Sequence, residues 1–130
     1  MTQNAMAQRA NQAYRGIAVT VPPLKAVVML HGGAITLLHQ AIEAQEALRF
    51  EHGHDCLVRA TAILRGLSHH LDCGRGGAVA ERLYETYNAL VLAALRAYGR
   101  PHAAINLGRI IASIAELREA WEYVAATARR

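Results

Sequence analysis

Two short segments of this sequence combine histidine with cysteine, residue types that bind transition metals. They are His52, His54 and Cys56, and His69, His70 and Cys73. Imidazole and thiolate groups are common zinc ligands, but a closed zinc site needs four of them. A helix between the two segments would hold them on the order of 20 Å apart, at about 1.5 Å per residue. We therefore predict no metal and no cofactor, and a small helical metal-binding or sensor protein remains as the alternative function.

The sequence gives equally little support for a carboxylate-bridged metal site or for catalysis. Glu51 and His54 have the Glu-x-x-His spacing of di-iron bundles, which require two such motifs and two further glutamates in the core. The sequence contains one motif of this kind, and it spans a glycine. It has no Gly-x-Ser-x-Gly motif, no Walker loop and no dinucleotide-binding fingerprint. We therefore predict no catalytic residues and no enzymatic activity.

Composition narrows the class of protein further. The chain has 130 residues, of which 53% are apolar and 18% are charged, as expected for one folded domain. Its longest apolar runs, 26–30 and 89–95, are far shorter than the ~20 residues of a membrane span. The N-terminus lacks the apolar region of a signal peptide, which predicts a cytoplasmic location. The net charge of +4 comes from arginines spread along the chain, so nucleic-acid binding is not expected.

Apolar residues recur at helical spacing in four stretches, and strand signals are absent. The predicted helices are 22–50, 55–71, 78–98 and 101–126, separated by the segment 51–54, a glycine-rich turn at 72–77, and Gly99. Short connections favour antiparallel neighbours, so we predict an all-α, up-down four-helix bundle. It should form a single domain at 15–130, preceded by a mobile N-terminal arm at 1–14. Expected core residues include Leu83, Leu117 and Trp121, and the third helix should turn inward Val79, Leu83, Tyr87, Leu90, Val91, Ala94 and Leu95.

The first helix carries more apolar surface than one core-facing stripe needs. Met29, Leu30 and Leu37 are expected to point away from the side that faces the core. Surplus apolar surface on a small bundle indicates a docking site or an oligomer contact. Gly32 and Gly33 lie in the middle of the same helix, where each costs about 1 kcal/mol relative to alanine. They indicate either close approach of a neighbouring helix or a weak point that adapts to a partner.

Several segments, taken in order, resemble the flagellar secretion chaperone family FliS. They are Ala13-Tyr14, PLKAVVMLHGGAI at 23–35, LDCGRGGAVAERL at 71–83, and LREAWEYV at 117–124. The sequence departs from the family pattern at four positions. His31 and Gly32 replace the usual Tyr and Asp, Pro22 replaces a capping Ser or Thr, and Gly74 replaces a common acidic residue.

The resemblance implies an export chaperone that binds the disordered C-terminal segment of flagellin in apolar grooves. Binding would block premature polymerisation and keep flagellin competent for flagellar type III export. The candidate binding residues are Tyr14, Met29, Leu30, Ile35, Leu37, Leu38 and Ile42. In the family the N-terminal arm covers part of the groove, so Tyr14 is either a displaceable plug or a core anchor. Contacts with export gate components, and a homodimer of the free protein, are left open.

Overall fold

The computed structural model of the protein describes residues 23–128 and contains four helices in that range. They are α1 (Pro23–Glu46), α2 (Phe50–His69), α3 (Cys73–Ala97) and α4 (Ala103–Ala128). The helix α1 packs against α2 and α4, and α3 packs against the same two helices, so the four form a closed ring of neighbours. The predicted all-α four-helix bundle is confirmed. The predicted arm at 1–14 and its boundary lie outside the described residues.

One face of each helix contributes to a single apolar core. Its fully buried members include Val27, Leu38, Leu57, Leu64, Leu67, Leu107 and Ile114. Burial of each such side chain contributes about 1.5–3 kcal/mol relative to exposure. Trp121 is also buried, while Leu83 and Leu117 are partly buried and pack against this cluster. Packing across the core therefore holds the four helices together.

The boundary between α1 and α2 differs from the prediction. The helix α1 ends at Glu46, and α2 begins at Phe50 rather than Asp55. Leu48 adopts a left-handed backbone conformation, with φ 62°, and the Arg49 N–H donates to the carbonyl of Ala44 at 2.8 Å. This arrangement is a helix-ending turn, in which glycine is the usual residue. The prediction of a break at 51–54 was wrong because leucine gives no sequence signal of such a turn.

The start of α3 is only partly as predicted. Asp72 caps the helix by accepting a hydrogen bond from the Arg75 N–H at 3.0 Å. One helical turn follows, and Gly77 then interrupts it with φ 61° and ψ −142°. Only a residue without a Cβ adopts this conformation at little cost. The uninterrupted part of α3 therefore begins at Ala78, as the sequence predicted, and the expected turn at 72–77 contains an extra helical turn.

Gly53, which was expected in a loop, lies inside α2 and against α3. The Tyr98 hydroxyl reaches across it and donates to the Phe50 carbonyl at 2.8 Å. A Cβ on residue 53 would overlap that hydroxyl and lie 3.1 Å from the Tyr98 Cζ atom. Glycine at this position therefore permits the hydrogen bond that ties the start of α2 to the end of α3.

We expect Gly53→Ala to lower the free energy of unfolding by about 1–3 kcal/mol, because the Tyr98 ring must move. Gly66→Ala in the same helix is the matched control, since its Cβ would meet no atom of residues 23–128 within 4 Å apart from the backbone of its own helix. That variant should gain up to about 1 kcal/mol from helix propensity. Urea unfolding of both variants measures the difference, and equal stabilities would contradict the packing role of Gly53.

Candidate functional site

A hydrogen-bonded chain of three buried side chains crosses the core, and we call it the polar chain. Trp121 Nε1–H donates to the Tyr87 hydroxyl at 3.1 Å, and that hydroxyl lies 2.8 Å from His31 Nε2. His31 Nδ1 lies 2.6 Å from the carbonyl oxygen of Val27, which can only accept a hydrogen bond. We therefore assign the proton to Nδ1, so that Nε2 accepts from Tyr87. The polar chain joins α1, α3 and α4.

Burial keeps His31 in the neutral form that this pattern requires. Removal of the ring from water lowers the pKa of His31, and the nearby positive charge of Arg118 lowers it further. The hydrogen bond to the Val27 carbonyl acts in the opposite direction, but its effect is smaller than that of burial. A charged His31 would donate from both nitrogens. The Tyr87 hydroxyl would then accept from both His31 and Trp121, and its own O–H could no longer donate to His31.

Two neighbouring apolar side chains are exposed on the side of α1 that faces away from the core. Met29 is 58% exposed, and the neighbouring Leu30 is 38% exposed. Leu30 borders a groove of about 330 Å³ between α1 and α2, whose lining is Leu30, Ala62, Ile63, Gly66, Leu67 and His70. Apolar side chains dominate this lining, so the groove suits the apolar face of another polypeptide. We call Met29, Leu30 and the groove the α1 face.

The structure separates the described candidate binding residues into three groups by their burial. Met29 and Leu30 are exposed, whereas Ile35 and Ile42 are partly buried and pack against the core. Leu37 and Leu38 are buried, so neither can contact a partner while the bundle is closed. The expectation that Leu37 adds to the surplus surface was wrong, because α1 is covered by both α2 and α4 and buries a wide sector. Tyr14 lies outside the described residues.

Exposed apolar side chains on the other helices were not among the predicted site residues. They include Val58, Val79, Tyr84, Leu92, Leu95, Ile105 and Tyr123. Val79 and Leu95 were expected to face inward and do not, since the buried face of α3 is composed of Ala80, Tyr87, Val91, Ala94 and Ala97. Small alanines fill that face. If the alanines of α3 face the core, several large apolar residues of the same helix have no place on its buried face. Identifying those residues in the sequence would have predicted which apolar side chains are exposed.

The histidine and cysteine segments show no shared site. His52 Nε2 lies 3.8 Å from the sulfur of Cys56, which is buried, whereas Cys73 is exposed. Within residues 23–128 no group of three or more His, Cys, Asp or Glu side chains is arranged to hold a metal ion. Over the same part of the chain, no helix has both the length and the apolar character that crossing a bilayer requires.

Residues 23–128 form a small helical bundle with large apolar side chains exposed on its helices. The sequence model of the family described as flagellar protein FliS matches residues 5–128, nearly the whole chain. The chain therefore belongs to the FliS family of flagellar export chaperones, and the resemblance of its sequence segments is confirmed. A comparison with curated proteins found no match.

We expect Tyr87→Phe to lower the free energy of unfolding by about 1–3 kcal/mol, because it removes the hydroxyl that bonds both His31 and Trp121. Tyr84→Phe is the control, since Tyr84 is exposed one turn earlier on α3. Thermal and urea unfolding compare the two variants. An equal, small effect of both substitutions would contradict the role of the polar chain.

Lowering the pH should reduce the free energy of unfolding, because His31 becomes protonated when the chain unfolds. Its pKa in the folded protein is lowered, while in the unfolded chain it is about 6.5. Between these two values the unfolded chain binds more protons, so stability is complete above pH ~6.5 and falls as the pH drops toward the folded-state value. His31→Gln, which keeps a neutral polar side chain, should flatten this part of the profile. Urea unfolding of the parent and of the variant from pH 7.5 to 5 tests this prediction. If the free energies of unfolding of the two proteins fall in parallel as the pH drops, the acid sensitivity does not come from His31.

Proposed function

We propose that this protein is a cytoplasmic export chaperone that binds the disordered C-terminal segment of flagellin. Membership of the FliS family supports the chaperone class. The observation that carries the finer proposal is the α1 face, where Met29 and Leu30 are exposed beside an apolar groove. Covering the flagellin segment in this way blocks premature polymerisation and keeps the cargo ready for flagellar type III export.

The physical basis of the proposed binding is coupled folding. An amphipathic helix that places its apolar side against a groove removes apolar surface from water on both partners. Ordering a disordered segment costs part of that gain, so binding needs a long contact rather than one pocket. The exposed Tyr84, Leu92 and Leu95 on α3 offer apolar contacts beyond the α1 face. A flagellin segment that extends over several helices of the bundle would contact both the α1 face and these exposed side chains of α3.

Other contacts belong to the same proposal. Export gate components would receive the chaperone with its cargo, and the free protein would form a homodimer through its exposed apolar surface. Tyr14 remains a predicted contact, either as a plug that cargo displaces or as an anchor in the core. Deleting the chain up to Tyr14 should strengthen flagellin binding only if Tyr14 is a plug.

We expect a 1:1 complex between the full chain and the last ~50 residues of a flagellin from the same organism, a length that suits coupled folding. Isothermal titration calorimetry measures affinity and stoichiometry, and a negative heat-capacity change should accompany burial of apolar surface. No complex at micromolar concentrations would contradict the proposed function.

The double variant Met29→Ser, Leu30→Ser should weaken this complex by about tenfold or more, because two apolar contacts are lost. Leu48→Asn is the matched control. It removes an apolar side chain that is 74% exposed at the other end of α1, and asparagine tolerates the left-handed backbone there. Equal affinities of the two variants would place the binding surface away from the α1 face.

A further inference from the structure

Arg118 places a half-buried positive charge where α4 meets α1. Its side chain is 38% exposed, and its Nε atom is buried without a hydrogen bond. The carboxylate of Glu122, one turn later, lies 3.4 Å from Nε but does not have hydrogen-bond geometry. Among the described residues, no other carboxylate pairs with this guanidinium. The side chain therefore keeps donor capacity that the bundle itself does not use.

Gly32 leaves the space beside this guanidinium open. A Cβ on residue 32 would point toward Arg118 Nη1, at 3.9 Å, and would meet no other atom of the described residues within 4 Å apart from the backbone of its own helix. Residue 32 therefore puts no side chain into the space beside the Arg118 guanidinium.

The geometry also bears on the close-approach interpretation of the glycine pair. At residue 33 a Cβ would meet Ile63 Cδ1 at 3.5 Å, an ordinary van der Waals contact. Neither glycine is therefore required by the approach of a neighbouring helix within residues 23–128.

The open position adjoins Met29 on the surface of α1. Met29 lies one helical turn before Gly32 and Gly33, because residues three and four apart are neighbours on a helix surface. A segment that covers Met29 and continues along α1 passes over Gly32 and comes within reach of Arg118. Arginine binds carboxylates through two parallel N–H···O bonds, which fix position as well as adding affinity. The net charge of +4 also favours an acidic partner.

We infer that Arg118 binds a carboxylate of the flagellin segment, in the space that Gly32 leaves open. The inference rests on the proposed function and adds a chemical requirement to it. The bound segment carries an acidic group directly beside the apolar side chains that cover Met29. That group is either an aspartate or glutamate side chain or the terminal carboxylate of flagellin.

The first test compares two arginine substitutions on α4. Arg118→Gln should weaken binding of the flagellin segment by about tenfold, because a charge-assisted pair is lost. Arg109→Gln removes the same charge from an exposed position on the same helix and should change affinity by less than about twofold. Equal effects of the two substitutions would overturn the assignment, since they would indicate only a general charge effect.

The second test fills the open position and does not alter Arg118. Gly32→Asp should weaken binding by about fivefold or more, because its carboxylate occupies the guanidinium and repels that of the partner. Gly32→Ala adds a Cβ without a charge and should leave affinity within about twofold of the parent, since the space is open. Unfolding curves check that both variants fold. Unchanged binding by Gly32→Asp would overturn the inference even if Arg118→Gln proved unstable.

Peptide variants identify the carboxylate and test the pairing directly. One set has an amidated C-terminus, and the other replaces each acidic residue in turn by its amide. The peptide that loses the paired group should bind the parent protein about tenfold more weakly, but bind Arg118→Gln as the unmodified peptide does. If every peptide change weakens binding to the parent protein and to Arg118→Gln by the same factor, the inference is overturned and the proposed function stays intact. Failure of the parent protein to bind any flagellin peptide would overturn both.

Discussion

The hydrogen-bonded chain from Trp121 through Tyr87 to His31 is the constraint on which the rest of the structure depends. Its three members come from α4, α3 and α1, and together they fix how α1 is rotated about its own axis. Successive residues turn by about 100° on a helix. With His31 inward, Gly32 faces the seam with α4, and Met29 lies on the solvent side of α1, roughly opposite His31 around the helix axis. The buried polar contact thus determines which surface α1 presents.

A polar chain inside an apolar core is stable only while each group keeps its partner, because the low dielectric makes a lost hydrogen bond costly. Here the donors run in one direction, from the indole to the phenol and from the phenol to the imidazole, which must be neutral. His31, where the sequence departs from the family pattern, supplies the polar side chain that pairs with Tyr87. The departure at Gly32 has a different consequence, since it opens the surface beside Arg118.

The sequence predicted well the features of the fold that depend on helical periodicity. It predicted poorly the features that depend on the backbone conformation of a single residue or on which side chains pair. Helical spacing gave four helices, but the end of α1 depends on Leu48 in a left-handed conformation, which residue type does not indicate. Exposure of Met29 follows from its place on the helix. The pairing of His31 with Tyr87 spans 56 residues, so it needs the tertiary structure, as does the meeting of Gly32 with Arg118.

The central claim is that the α1 face binds the C-terminal segment of flagellin, and the Met29 methyl group reports on it most directly. Methyl NMR of the full chain, with Met29→Leu used to assign the signal, follows that group while the flagellin segment is added. The account predicts that the Met29 signal shifts and shows contacts to protons of the bound segment at a 1:1 ratio. A Met29 signal that stays unchanged while the complex forms would contradict it.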